Sequence, residues 1–162
     1  MKFKCPAGPE ITGFTLVELL VAMAVLAILL TIGIPSFTNL VTNNRATTAT
    51  NELLAALQYA RSEAVRQNAR VDICSSTNQD TCSNADAWDT GWVVRWDDEP
   101  IQIRAALNPA IEIVGAPIVQ FGSAGEAALG AGEFEVTATG GAVATRILCL
   151  EASGRAFVGA CE

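Results

Sequence analysis

One acidic side chain, Glu18, lies inside a long run of apolar and small uncharged residues. The run extends from Phe14 to Ile34, and its 21 residues contain no other charge. As a helix it would span roughly 31 Å, at about 1.5 Å per residue, which matches the apolar core of a bilayer. A lone carboxylate there costs about 2.5–3.5 kcal/mol on insertion scales, so acids in membrane segments usually have a partner and a function. The chemistry that Glu18 offers is therefore a charge pair inside a membrane.

The residues around Glu18 resemble a known processing signal. The stretch Gly13–Leu20 (GFTLVELL) is similar to the class III signal of type IV pilins and type II secretion pseudopilins. The resemblance implies that a prepilin peptidase cuts the Gly13–Phe14 bond and methylates the new amine of Phe14. Pro35 matches the proline that kinks the long N-terminal helix of this family.

Cleavage would also supply a partner for Glu18. The carboxylate would lie in the first turn of a helix, where the macrodipole favours negative charge. The freed amine of Phe14 carries the opposite charge, and a neutralised pair is far less costly in lipid than a lone acid. The resemblance implies that the amine comes from a neighbouring subunit, so that the pair sets subunit register. The residues themselves leave open whether the contact forms within one chain or between chains.

Two simpler interpretations compete for the same segment. An ordinary secretory signal has a positive start, which Lys2 and Lys4 supply, and a small-residue cleavage site such as Ala22–Ala24. That triplet, however, lies inside the apolar run, and the run exceeds the usual apolar length of about 7–15 residues. A plain single-pass anchor explains the length of the run but leaves Gly13, Glu18 and Pro35 unexplained.

The composition excludes several classes of function. The chain has no histidine, which removes histidine acid–base catalysis, Ser–His and Cys–His nucleophiles and histidine metal ligands. Lys2, Lys4 and Glu10 precede Phe14, so the ten basic and 17 acidic side chains of the chain become eight arginines against sixteen acids after Gly13. This balance argues against nonspecific nucleic-acid binding. We predict a protein that is not an enzyme and that needs no cofactor or metal.

Four cysteines follow the leader, and Cys5 would leave with it. An even number of cysteines in a domain outside the cytoplasm predicts disulfides, and four cysteines allow three pairings. We favour Cys74–Cys82 and Cys149–Cys161, because each pair closes a short loop. The entropy model gives roughly 2.5–3 kcal/mol for loops of this length. Unpaired buried thiols and a zinc site are the alternatives, although C-x-x-C spacing and histidine are both missing.

The elements that position these residues begin with one long helix, predicted from Phe14 to about Asn68. Pro35 predicts a kink within it. Its second half is amphipathic, because apolar residues recur at helical spacing at Leu53, Leu57, Ala60 and Ala64. This stripe is expected to pack on a sheet of the same domain. The stretch Asn39–Asn51 is expected to be exposed helix or a locally melted turn.

From Val71 the pattern changes to short strands separated by turn residues. The predicted strands are Val71–Ser75, Gly91–Trp96, Ile101–Ala105, Ile111–Val114, Ile118–Phe121, Glu133–Thr137, Arg146–Glu151 and Arg155–Val158. Glycines indicate loops at Ser123–Gly132 and Thr139–Gly141. A long helix followed only by strands predicts an α+β fold, with the helix laid on antiparallel sheet. The chain then comprises a leader (1–13), a transmembrane and assembly segment (14–35), an amphipathic helix half (36–68) and a periplasmic β domain (69–162).

The helix and the first strands also resemble a subfamily. Glu52–Arg66, Val71–Cys74, Gly91–Val94 and Gly154-Arg155 are similar to the FimT/FimU minor pilins and the GspH-type minor pseudopilins. The resemblance implies a minor pilin that primes assembly at the pilus tip, with a type II secretion pseudopilin as the alternative. It implies other pilins, the prepilin peptidase and inner-membrane lipid as partners. Within this stretch, Arg61 and Glu63 are expected on a solvated helix face.

Two features lie near the predicted strand Gly91–Trp96. Trp88, Trp92 and Trp96 recur at every fourth residue, but Gly91 and the paired valines favour a strand with Trp92 and Trp96 on one face. Core packing is the preferred role for these tryptophans, and a surface for sugars or partners is the alternative. The acidic run Asp97–Glu99 could contribute to a calcium site, which needs about 6–8 oxygens. A solvated turn before Pro100 is the simpler interpretation.

A last motif concerns nucleic acid. Gly154–Phe157 resembles the Gly-Arg-x-Arg of DNA-uptake minor pilins, with Phe157 in place of the second arginine. The motif makes Arg155 a candidate phosphate contact and a DNA-binding pilin for natural transformation a further alternative. Arg104 and Arg146 would add to such a site only if their strands were adjacent to Arg155. The acidic balance nevertheless predicts that nucleic acid is not a partner.

Overall fold

The computed structural model describes residues 14–83 and 85–161. A helix, α1 (Leu16–Gln67), precedes strands β1 (Val71–Ser75), β2 (Trp92–Trp96), β3 (Glu99–Arg104), β4 (Ile111–Val114), β5 (Ile118–Phe121), β6 (Ala127–Leu129), β7 (Gly132–Ala138), β8 (Ala144–Leu150) and β9 (Ala156–Val158). The chain divides after Ser36 into two compact units. The predicted α+β fold is confirmed.

The long helix continues through Pro35 and ends in a well-formed cap. Pro35 lies inside α1, and the kink that we expect there stays a prediction. At the other end, Asn68 adopts a left-handed backbone conformation with φ of 50°. The amides of Asn68 and Ala69 donate to the carbonyls of Val65 and Ala64 at 3.3 and 3.1 Å. This is the Schellman arrangement, in which asparagine can replace glycine, and it stops the helix before β1.

The strands form two antiparallel sheets. One has the order β3-β2-β1-β5-β6 and the other the order β4-β7-β8-β9. The loop that we expected at Ser123–Gly132 contains the short strand β6, so that prediction is wrong in part. Leu129 pairs with Gln120 and Ala127 with Phe121. A strand of three residues is too short to show the alternation of apolar and polar residues. The glycines on either side of β6 favour a loop prediction.

One continuous core joins the second half of α1 to both sheets. The predicted apolar stripe is confirmed, since Leu53, Leu57, Ala60 and Ala64 are fully buried. They pack in one cluster with residues of both sheets. Asn39–Asn51 is helical, but the expectation of an exposed stretch is wrong in part, because its inner face, which includes Thr50, is also buried. The Thr50 hydroxyl donates to the Ala46 carbonyl at 2.7 Å, which satisfies it in the core.

A tryptophan from the loop between β1 and β2 packs against the second sheet. Trp88 lies before β2 and is fully buried. Its indole Nε1 donates to the Ala116 carbonyl at 2.9 Å, and its ring meets Phe134 of β7 edge to face at 5.3 Å. Its backbone amide donates to the carbonyl of Ile113 on β4. Trp92 is buried within β2, and Trp96 packs against the core, so core packing accounts for the three tryptophans.

Candidate functional site

The start of α1 holds Glu18 in a defined position. Thr15 immediately precedes the helix, and its Oγ1 accepts a hydrogen bond from the Glu18 amide at 3.2 Å. Serine or threonine at this position with glutamate three residues later is the capping-box pattern. The carboxylate thus lies in the first turn, where the helix dipole favours it. Sequence reasoning missed this cap, although the spacing of Thr15 and Glu18 signals it.

The apolar side chains that follow are presented outward. The large hydrophobic residues from Leu16 to Ile34 are 49–75 % exposed, and Phe14 is 82 % exposed. Among the described residues, α1 is long enough and apolar enough to cross a membrane. Its most apolar window has a mean hydropathy of 2.7. The Gly13 side of the predicted cleavage site lies outside the described residues. The first part of α1 is therefore an exposed apolar helix with one acidic residue, Glu18, in its first turn.

A second cluster, which sequence reasoning missed, joins α1 to both sheets through Arg61. The guanidinium donates from Nε to the Gly125 carbonyl at 2.8 Å and from one terminal nitrogen to the Ser153 carbonyl at 3.3 Å. Gly125 closes the turn between β5 and β6, and Ser153 lies in the turn between β8 and β9. Gly154 has φ of 78°, and a Cβ there would collide with the Gly125 carbonyl oxygen. The two turns therefore meet only because this position is glycine.

The prediction that Arg61 and Glu63 lie on a solvated helix face is therefore wrong. Glu63 is only 9 % exposed. Both of its carboxylate oxygens accept hydrogen bonds from the Arg66 guanidinium, at 2.5–3.1 Å. These bonds hold the pKa of Glu63 below its usual value, outweighing the opposite effect of burial. Arg61 fixes α1 against a turn from each sheet, whereas Glu63 pairs with Arg66 on the same helix, and neither is assigned a role in binding.

Two disulfides close the local loops. Cys74 and Cys82 are bonded with their Cα atoms 5.5 Å apart, and Cys149 and Cys161 with theirs 5.2 Å apart. These are the favoured pairings. The first loop is ordered by Asn78, whose Oδ1 accepts from the amides of Asp80 and Thr81 at 3.0 and 2.9 Å. The first bridge ties the loop after β1 to that strand, and the second ties the C-terminal segment to β8.

The Arg155 side chain is engaged by its own neighbours. A terminal nitrogen of Arg155 lies 2.8 Å from Glu151 Oε1, and the guanidinium carbon lies 4.8 Å from the centre of the Phe157 ring. Arg104 belongs to the other sheet and pairs with Glu52 of α1 at 2.8 Å. Arg146 lies on β8, nine residues before Arg155. The fold thus places Arg104 apart from Arg146 and Arg155, and the three do not form one basic site.

The acidic run after β2 forms a tight hairpin turn. Asp97 and Asp98 have φ of 51° and 64°, and Arg95 donates to the Asp98 carbonyl at 2.5 Å. Nearby, burial raises the pKa of Asp72, an effect that Arg70 and Arg95 only partly oppose. No group of three or more histidine, cysteine, aspartate or glutamate side chains within residues 14–83 and 85–161 is arranged to hold a metal ion. The positive φ angles of Asp97 and Asp98 are those that a two-residue hairpin turn requires.

Comparisons with known proteins agree with this architecture. The sequence model of a family described as type II transport protein GspH matches residues 49–154, more than half of the chain. The chain belongs to the GspH family. A second model, described as the prokaryotic N-terminal methylation motif, matches residues 11–34, which include Gly13, Phe14 and Glu18. No curated protein matches the chain.

Solved structures share the fold of this GspH-family chain. A crystal structure of the type IV minor pilin FimU from Pseudomonas aeruginosa (strain PAO1), in space group P21, superposes with a TM-score of 0.54 at 19 % identity. The superposition covers 72 % of the chain described here and 89 % of the FimU chain. The same protein in space group P65 gives a TM-score of 0.51 at 19 % identity, covering 70 % and 91 %. The predicted resemblance to type IV pilin-like minor pilins and pseudopilins is confirmed.

Proposed function

We propose that this chain is a minor pilin that enters a type IV pilus as part of the priming complex at its tip. The observation that carries the proposal is the methylation-motif match over residues 11–34, with Glu18 in the first turn of an outward-facing apolar helix. Pilin-like proteins assemble with other pilins, and the apolar helix supplies the surface for doing so.

The proposed sequence of events uses each part of the N-terminal segment. Residues 14–35 hold the chain in the inner membrane with the domain that follows in the periplasm. A prepilin peptidase removes residues 1–13 and methylates the amine of Phe14. The Glu18 carboxylate then pairs with the Phe14 amine of a neighbouring subunit, since a paired acid is far less costly in lipid than a lone one. The subunit finally leaves the membrane for the filament.

A second candidate is a minor pseudopilin of a type II secretion system. The description of the matching family, type II transport protein GspH, favours it. The chemistry proposed for Phe14 and Glu18 is the same in both machines. Deleting the protein and measuring surface pili and secreted proteins separately distinguishes the two roles.

The test of the assembly mechanism is Glu18→Ala in the full chain. We expect the variant to insert and to lose its leader, but to be several-fold depleted in sheared filaments on immunoblots. Met23→Ala is the matched control, because Met23 is 62 % exposed on the same helix and uncharged. Glu18→Ala at the wild-type level in filaments would show that Glu18 does not guide assembly.

A further inference from the structure

Two cavities lie along one side of α1, within the unit that begins at Phe37. The first, of about 340 Å³, extends along the helix from Val41 to Glu52 and is bounded on its other side by the loop that follows β3. The second, of about 250 Å³, lies between β3 and the helix as far as Ala56. Both are lined by Glu52 and Arg104, whose side chains pair at 2.8 Å. The two cavities therefore form one groove, about 22 Å long at about 1.5 Å per helical residue, which we call the edge groove.

The backbone groups of Ile103 in β3 point away from the sheet. Ile103 lies opposite Val93 of β2. The Gly91 carbonyl accepts from the Ser76 amide at 2.9 Å on the β1 side. Because the backbone groups of a strand point alternately to its two neighbours, those of Val93 also point to β1. The Arg104 carbonyl, in contrast, points to β2, since a Cβ on Gly91 would collide with it. The amide and carbonyl of Ile103, one residue earlier, therefore point to the open edge of the sheet.

That edge has no partner strand in the part of the chain that the structure describes. β3 is the last strand of its sheet, and the hydrogen bonds that the described residues form outside the ladders do not include Ile103. The Ile103 side chain shares a face with Val93, opposite to Arg104 and α1, so the backbone of Ile103 is what borders the edge groove. Pro100 and a shift in register protect only the start of β3. An open edge beside a groove is a site for strand addition.

The charge of the edge groove is opposite to that of the chain. Two arginines, Arg45 and Arg104, and one glutamate, Glu52, line it, which leaves one net positive charge. After Gly13 the chain has sixteen acids against eight arginines. Arg45 forms no salt bridge with any described residue, and apolar side chains such as Leu107 line the same groove. Complementarity therefore selects an occupant with apolar side chains and an acid.

We propose that an extended segment of another pilin subunit enters the edge groove as an added strand of the first sheet. Its backbone bonds the amide and carbonyl of Ile103, its apolar side chains pack between β3 and α1, and one carboxylate pairs with Arg45. About six or seven residues, each spanning about 3.3 Å in a strand, fill the groove. The inference rests on the proposed function for the source of the segment, since a pilin meets other subunits, but not for the chemistry of the groove.

The first test measures strand addition with the full-length protein in detergent micelles and a fluorescent peptide probe of sequence TVTVEVT. We expect saturable binding by fluorescence anisotropy. A probe with lysine in place of the glutamate should bind about fivefold more weakly, the upper range for an exposed ion pair. A probe that is N-methylated at its central amides cannot complete the ladder and should bind about tenfold more weakly. No binding of the first probe, or equal binding of the N-methylated one, overturns strand addition.

Two substitutions assign the binding to Ile103 and Arg45. Ile103→Pro removes the outward amide, which the ladder with β2 does not use, and proline is tolerated at such edge positions. We expect it to weaken binding of the probe about tenfold; if this variant does not fold, the N-methylated probe decides. Arg45→Gln should weaken binding about two- to fivefold, whereas Arg70→Gln, at an exposed arginine outside the groove, should leave it unchanged. Wild-type binding by Arg45→Gln overturns the role of the charge.

A cross-link in the filament identifies the source of the segment. The photo-crosslinking amino acid p-benzoylphenylalanine replaces Ala55, which is exposed on α1 and lines the edge groove. We expect adducts with another pilin in sheared filaments, and a several-fold lower yield when Ile103→Pro is added. An adduct with a second copy of this chain overturns the assignment to another pilin. If the chain is missing from the filaments, the proposed function fails; if it is present without an adduct, only this inference fails.

Discussion

The Nε of Arg61 donates a 2.8 Å hydrogen bond to the carbonyl oxygen of Gly125, which lies 64 residues later in the chain. The same guanidinium also reaches the Ser153 carbonyl in the second sheet. Arg61 therefore binds the β5–β6 turn of one sheet and the β8–β9 turn of the other, at the place where these two turns meet.

Replacing Arg61 should destabilise the folded domain. Arg61→Ala leaves two turn carbonyls without their donor, and we expect a loss of about 1–3 kcal/mol in the free energy of unfolding. Arg61→Lys should recover only part of it, because an ammonium lacks the planar fork. Urea denaturation of residues 37–162 provides the measurement. Arg70→Ala is the control, since the Arg70 side chain is 65 % exposed and its Nε lies 3.2 Å from Asp72 Oδ1 at the surface; a loss as large as that of Arg61→Ala would contradict the proposed clamp.

Glu63 should make the stability of the domain sensitive to acid. Its folded pKa is lowered by the hydrogen bonds from Arg66, so its contribution is complete above the pKa of the unfolded carboxyl and is lost as the pH falls through the folded pKa. Glu63→Gln should therefore be less stable than the wild type at pH 7, and the difference should shrink below about pH 4.5. Unfolding measured from neutral to acidic pH tests this, with the exposed Glu112→Gln as control. A difference that stays constant with pH would refute the linkage.

The mature protein should begin at Phe14. The methylation motif covers residues 11–34, and the apolar run begins directly after Gly13. Intact-mass analysis of protein made together with a prepilin peptidase should show residues 1–13 missing and one methyl group added. A mature chain that begins near Val25 would support the secretory-signal interpretation instead.

The two disulfides should be found in the purified protein as Cys74–Cys82 and Cys149–Cys161. Peptide mapping without reduction checks both pairs at once. Removing either bridge should cost roughly 2.5–3 kcal/mol by the loop-entropy model. A peptide that joins Cys74 to Cys149 or to Cys161 would contradict the pairing.

The domain from Phe37 onward should not bind duplex DNA usefully at physiological salt. Acids outnumber arginines two to one after Gly13, and Arg155 is held by Glu151 and Phe157. Affinity for duplex DNA needs several cations on the phosphates and falls steeply with salt. A gel-shift titration at several salt concentrations measures it. Micromolar, salt-sensitive binding that Arg155→Ala abolishes would instead favour a transformation pilin.

The sequence alone determined the features that depend on neighbours along the chain. The apolar run with Glu18, the helical stripe through Leu53 and Leu57, most strands and the short disulfide loops all follow from local spacing. Such features need only periodicity, length or a short loop to form. They were sufficient for the fold class and for the resemblance to pilins.

Only the tertiary structure decided how distant segments meet. Arg61 binds backbone carbonyls, and every residue has a carbonyl, so no side-chain pattern marks its partners. Trp88 lies in a loop of the first sheet yet packs against Phe134 of the second. The strands divide into two sheets through pairings between distant segments. The contact of Asn39 with Ala142, 103 residues later, likewise depends on where the β7–β8 turn lands on the helix. These choices are made by burial and close packing across the whole core, which local spacing does not encode.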